Sequence, residues 1–170
     1  MKRAAPAVAF LMLALAGCGY HVTGSANALP AEVRTIAVMP WRNASTQYKL
    51  SDYITEAVTR ELITRTRYKV VADPAMADAV LSGAVANLVS GATVSDPIKG
   101  ATGAQMVAYI QVKLVDKSGK VLFERPNVEY RERYEISVDP KQYFDESQVA
   151  AQRLSRDVGH SIVSAILEAF

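Results

Sequence analysis

The spacing of apolar and polar positions along this 170-residue chain changes several times, and each change marks an element. From Arg34, "RTIAVMP" is a β-rich run stopped by Pro40, and Trp41 to Lys49 reads as loop. Ser51 then precedes a helical pattern with Ile54, Ala57, Val58 and Leu62 on one face and Glu56, Arg60 and Thr64 off it. Asp52 and Glu56 lie early in that helix and Arg65 and Arg67 at or just past its end, which suits the helix dipole. "YKVVA" (68–72) is a second short strand, broken by Asp73-Pro74, and Val80 to Val89 is a third. Ser90 to Ala104, rich in Gly, Ser and Thr with Pro97 inside it, reads as the largest irregular segment.

Beyond it, Met106, Ala108, Ile110, Val112 and Leu114 alternate with Gln105, Tyr109, Gln111 and Lys113, the period of a half-buried strand. Asp116-Lys117-Ser118-Gly119-Lys120 is a hairpin signal. The return strand runs from Val121, is interrupted near Pro126 and resumes from Val128 to Ile136. There Tyr130 and Tyr134 face one way while Arg131, Arg133 and Glu135 face the other. Asp145, with Gln148 three residues later, forms the cap of a last helix. On it Ala151, Leu154, Val158, Ile162, Ala165 and Ile166 recur at helical spacing, and Gly159 near its middle costs about 1 kcal/mol relative to Ala. The apolar face of that helix needs a sheet to lie on. The expected fold is therefore α+β, a two-layer sandwich with two helices packed on one face of a mixed four-stranded sheet.

The N-terminal region is patterned differently. Lys2 and Arg3 precede an apolar run, Ala4 to Ala16, broken only at Pro6. Thirteen residues are too few to span a bilayer in a helix, which takes about 20, and that length suits the apolar region of a secretory signal. Leu15-Ala16-Gly17-Cys18 resembles the lipobox of bacterial lipoproteins, in which the thiol receives diacylglycerol and the chain is cut before the cysteine. The resemblance implies that Cys18, the single cysteine, is an anchor; one cysteine cannot close an internal disulfide in any case. The expected organisation is a signal peptide over 1–17, a lipidated tether over 18–33 and one domain over 34–170.

Charge narrows the function. The first 17 residues hold two of the 19 basic residues and none of the 17 acidic ones, so the remainder has zero net charge, and general attraction to nucleic acid is unsupported. The search for chemistry yields no enzyme and no cofactor. Neither His21 nor His160 has metal-site spacing, "GATVSDPIKGATG" from Gly91 does not fit a phosphate loop because Lys99 precedes Gly100, and no Gly-x-Ser-x-Gly elbow is present. A hydrolase built by long-range geometry around His160 stays open at this stage.

Several stretches together resemble the LptE family of lipopolysaccharide-assembly lipoproteins. They are Cys18-Gly19-Tyr20-His21 with Gly24 behind it, "TIAVMPWRNAS", "LSDYITEAVTRELITRTRYKVV", "ADAVLSGAV", a hairpin with Asp-x-x-Gly at its tip and a C-terminal helix. The resemblance implies a plug inside an outer-membrane β-barrel that inserts lipopolysaccharide, with Gly19 after Cys18 consistent with release to the outer membrane. A plug must offer a polar lumen a hydrogen-bonding surface, which the charged positions Glu129, Arg131, Arg133 and Glu135 suit. Lipid A carries phosphates, so its contacts should be exposed cations, and position alone makes Lys99, Lys117, Lys120 and Arg125 the candidates. "IAVMPWRN" is also similar to the opening strand of TolB-like and curli-secretion lipoproteins. An adaptor for periplasmic protein partners is the alternative.

Overall fold

A computed structural model describes residues 29–98, 100–136 and 146–169. Six strands and two long helices follow in the order β1 (Thr35–Val38), β2 (Arg42–Asn43), α1 (Leu50–Arg65), β3 (Lys69–Val71), β4 (Ala79–Asp96), β5 (Gly100–Asp116), β6 (Val121–Glu135) and α2 (Glu146–Glu168). They form one mixed sheet in the order β3-β1-β4-β5-β6, with β2 parallel to β4 just beyond the end of β1. β1 pairs in parallel with β3 and β4, and β4, β5 and β6 form an antiparallel meander.

Both helices lie on one face, so the α+β two-layer expectation holds, with six strands in place of four. The added pairing has clear causes. β2 is only two residues long, too short to leave a periodic trace, and it falls within the stretch that reads as loop. Ser90–Asp96 and Gly100–Ala104 are not irregular: they form the far half of the β4–β5 hairpin, paired from Ser90↔Met106 to Asp96↔Gly100 with register shifts on either side of Val94. Their Gly, Ser and Thr content hides them, because the alternation that fixes the register belongs to β5. Pro126 does not divide the return strand either. Between Ile110↔Val128 and Val112↔Arg125 the register shifts by one residue, and a bulge is where a strand tolerates proline.

The core follows from these pairings. Ala104, Met106, Ala108, Ile110, Val112 and Leu114 make one buried row along β5. On it lie Leu50, Ile54, Val58 and Leu62 of α1 and Ala151, Leu154, Val158, Ile162 and Ile166 of α2. Ser51 does not precede α1: the helix begins at Leu50, and Ser51 is buried inside it with its carbonyl accepting from Thr55 Oγ1 at 2.8 Å. Trp41 is 5 % exposed, and its indole lies against Gly83, where a Cβ would stand 2.5 Å from the ring. Asp145 lies outside the described residues. The start of α2 is held by Arg153, which donates to Glu132 at 2.5 Å and to the Arg133 carbonyl at 3.2 Å, while Glu146 accepts from the Glu135 N–H at 3.1 Å.

Candidate functional site

With both helices on one side, no described element covers the opposite face of the sheet. The register assigns to it Gln105, Val107, Tyr109, Gln111, Lys113 and Val115 of β5, none of them fully buried. On β6 the rows separate as the alternation predicts. Tyr130, Glu132 and Tyr134 turn toward α2, with Tyr130 Oη donating to Ser161 Oγ at 3.0 Å. Burial pushes the Tyr130 hydroxyl above its ordinary pKa. Glu129, Arg131, Arg133 and Glu135 are exposed on the bare face. Arg131 is ion-paired with Glu129, whose hydrogen bond raises the guanidinium pKa. The arrangement is a hydrogen-bonding wall of mixed charge.

A shallow cleft of about 290 Å³ opens where β2, β4, β5 and β6 meet, lined by Arg42, Ser82, Gln111, Lys113, Glu124 and Arg125 among others. Lys113 Nζ stands 3.5 Å from Glu124 Oε1. Arg125 stacks over the Phe123 ring at 5.6 Å. Arg42 and Lys113 escaped the sequence reading because only the pairing of β2 with β4, and of β4 with β5, brings them to one place.

The other candidate cations are spread along the sheet. Lys117 and Lys120 share the β5–β6 turn, where Gly119 takes a positive φ of 87° and Asp116 Oδ1 accepts from the Ser118 and Lys120 amides at 2.8 and 2.9 Å. Those bonds, led by the one from the Ser118 hydroxyl, lower the Asp116 pKa. Lys117 Nζ is 3.6 Å from Asp78 Oδ1, so this cation is already partnered. Lys99 lies outside the described residues. Of the described candidates, Lys117 and Lys120 share a turn and Arg125 belongs to the cleft. Cys18 also lies outside the described residues.

His160 is on the outer side of α2, with Nδ1 3.2 Å from Arg65 Nη1 and 3.4 Å from Glu61 Oε2. Ser164 Oγ accepts from the same Arg65 at 2.9 Å, so the serine is engaged by the guanidinium and the cluster ties α1 to α2. Among the described residues no group of His, Cys, Asp or Glu is gathered so as to hold a metal ion. No described helix is long and apolar enough to cross a membrane.

Comparison with known proteins adds to this geometry. Lipoprotein B from Nitrosomonas europaea, solved in solution, superposes with a TM-score of 0.56 at 16% identity, covering 82% of this chain and 89% of that one. A hypothetical protein from Chlamydia trachomatis gives 0.53 at 12% identity, over 79% of this chain and 96% of that one. A minor lipoprotein from Acinetobacter baumannii gives 0.51 at 9% identity, over 80% and 94%. At these identities the likeness is one of fold. No curated protein matches the sequence. The sequence profile of the family described as lipopolysaccharide-assembly, LptE, matches residues 33–166.

Proposed function

The chain belongs to the LptE family of lipopolysaccharide-assembly proteins, and from that premise we propose that it is a lipid-anchored plug and assembly partner of the outer-membrane β-barrel that inserts lipopolysaccharide. Cys18 carries the acyl chains. Each buried CH₂ contributes about 0.8 kcal/mol and stable anchoring takes more than one chain, a condition that diacylglycerol meets. The bare sheet face turns toward the polar lumen, and the exposed cations meet the phosphates of lipid A.

The observation that carries this reading is the uncovered face itself. A two-layer domain leaves one side of its sheet to water or to a partner, and here that side presents Glu129, Arg131, Arg133 and Glu135 beside Gln105, Tyr109 and Gln111. Such a surface hydrogen-bonds readily to a polar wall and poorly to acyl chains.

The test is gentle extraction of the tagged, full-length protein from its own membranes, followed by identification of what co-purifies and by mass measurement of the complex. One copy bound to one outer-membrane barrel is the expected result. A solitary monomer, or a homo-oligomeric ring, overturns the proposal.

A further inference from the structure

The two long edges of the antiparallel meander differ in chemistry. β6 forms one edge, and seven of its fifteen residues are charged, with Pro126 at a bulge. Charges, proline and bulges are what keeps an edge strand from pairing with foreign strands. The other edge belongs to β4. β1 covers β4 only at Ala79–Leu81 and β2 only at Ala84–Val85; from Ala86 onward the register gives β4 a single neighbour among the described residues, β5. From Ala79 to Ser95 the strand contains no charged residue and no proline. From Val89 to Ser95 every residue is exposed, Val89 at 52 %.

The direction of the backbone on that edge can be followed along the strand. Leu81 and Val85 turn their carbonyls outward, accepting from the Met39 and Ala44 N–H groups at 2.9 Å. A bulge at Ala86 shifts the alternation by one, so Leu88, Ser90 and Ala92 become the outward residues. The Leu88 N–H agrees, being held by its neighbour's Asn87 Oδ1 at 2.8 Å and not by β5. A second bulge at Thr93 ends the regular stretch, leaving Asn87–Ala92, six residues in unbroken register and the usual length of one strand.

We infer that the outer edge of β4 over Asn87–Ala92 is a strand-addition site, and that its occupant is an extended, uncharged segment of the polypeptide that surrounds the domain. The inference rests on the plug reading for the source of that segment. A second copy of the chain fits poorly: two such edges would join only six residues a side, against the 20–30 a side of a stable interface. A strand belonging to a partner that also grips the sheet face has no such shortfall, because its addition is then effectively intramolecular. The added strand pairs its backbone with the outward groups of Leu88, Ser90 and Ala92.

The experiment compares amide hydrogen exchange over residues 86–95 in the isolated chain and in the purified wild-type barrel complex, and measures complex yield for Ala92→Pro. That substitution removes an outward N–H and leaves the β5 side of the ladder untouched. In the complex the Leu88, Ser90 and Ala92 amides should exchange at least about tenfold more slowly than in the isolated chain, and Ala92→Pro should lower complex recovery about tenfold with an unchanged melting temperature. A normal complex with equally fast exchange at these amides overturns the edge assignment alone. Amides already protected in the isolated chain, whether by its own N-terminal segment or in a dimer, overturn the choice of occupant. A wild-type chain that brings down no barrel overturns both this inference and the plug reading.

Discussion

At the scale of single residues, Gly159 is the position where helix propensity and packing disagree in sign. Propensity alone makes it a defect on the order of 1 kcal/mol, so alanine should improve the helix. The packing reverses this. A Cβ at Gly159 would stand 2.9 Å from the carbonyl carbon and 3.0 Å from the Cβ of Ala57, mostly against backbone that cannot rotate away. At this glycine α2 and α1 approach backbone to backbone. Gly159→Ala should therefore cost about 1–3 kcal/mol in urea unfolding, as overpacking does. A variant as stable as wild type would mean that the helices part freely. Trp41 makes a related point: its indole needs the bare Cα of Gly83, and nothing local in the sequence around the tryptophan signals that pairing.

At the scale of elements, Asp78 joins three pieces of the sheet. Its Oδ2 accepts from the Arg34 and Thr35 amides at 3.0 Å and from Thr35 Oγ1 at 2.8 Å, and its carbonyl accepts from the Lys117 N–H at 3.0 Å. The start of β1, the start of β4 and the β5–β6 turn are thus pinned at one point. The Arg34 amide bond and the Thr35 bonds lower its pKa from 3.8 to about 2. The folded carboxyl therefore binds its proton less tightly than the unfolded one. Its contribution is fully present above about pH 4 and is lost as the pH falls through 2. In thermal melts across pH, Asp78→Ala should lie below wild type at neutrality and converge with it near pH 2. Parallel curves over the whole range would assign the residue a role independent of its charge.

Legibility in the sequence also varies by element. α1, α2 and β5 carry their burial in their own periodicity, and Tyr130 and Tyr134 fell on the helix side of β6 as the alternation indicates. The far half of β4 carries no such signal. Its residues are small and exposed on both faces, and β5 alone organises them. β2 is a strand only because Arg42 and Asn43 meet Ala84 and Val85. The site shows the same division. The charged row of β6 was legible, whereas the cleft was not, because Arg42 and Lys113 are 71 positions apart and meet only through the sheet. For Lys117 the turn was legible, whereas the Asp78 partner that occupies its charge was not.

At the scale of the whole molecule, a domain with helices on one side only must be oriented by something outside itself if its bare face is to meet a partner. In the proposed function that constraint is the lipid on Cys18, joined by a short stretch to Leu29, which is buried in the core. Cys18→Ala should then move the protein from the membrane to the soluble fraction on cell fractionation while leaving the circular dichroism of the domain unchanged. Full retention in the membrane would remove the anchor from the account.

The position of α2 in the chain has a consequence for biogenesis. α1 is complete by Arg65, yet the surface that covers it, through Gly159, comes more than 90 residues later, and α2 is also what shields Met106 and Ala108 of β5. A polypeptide emerging from its N-terminus accordingly lacks part of its core until α2 has been synthesised. Contacts this distant in sequence form slowly, because the intervening loop must first be closed. Completion of the core must therefore wait for α2 to be made, and a chain whose core is incomplete is closer to the state that can be threaded across a membrane.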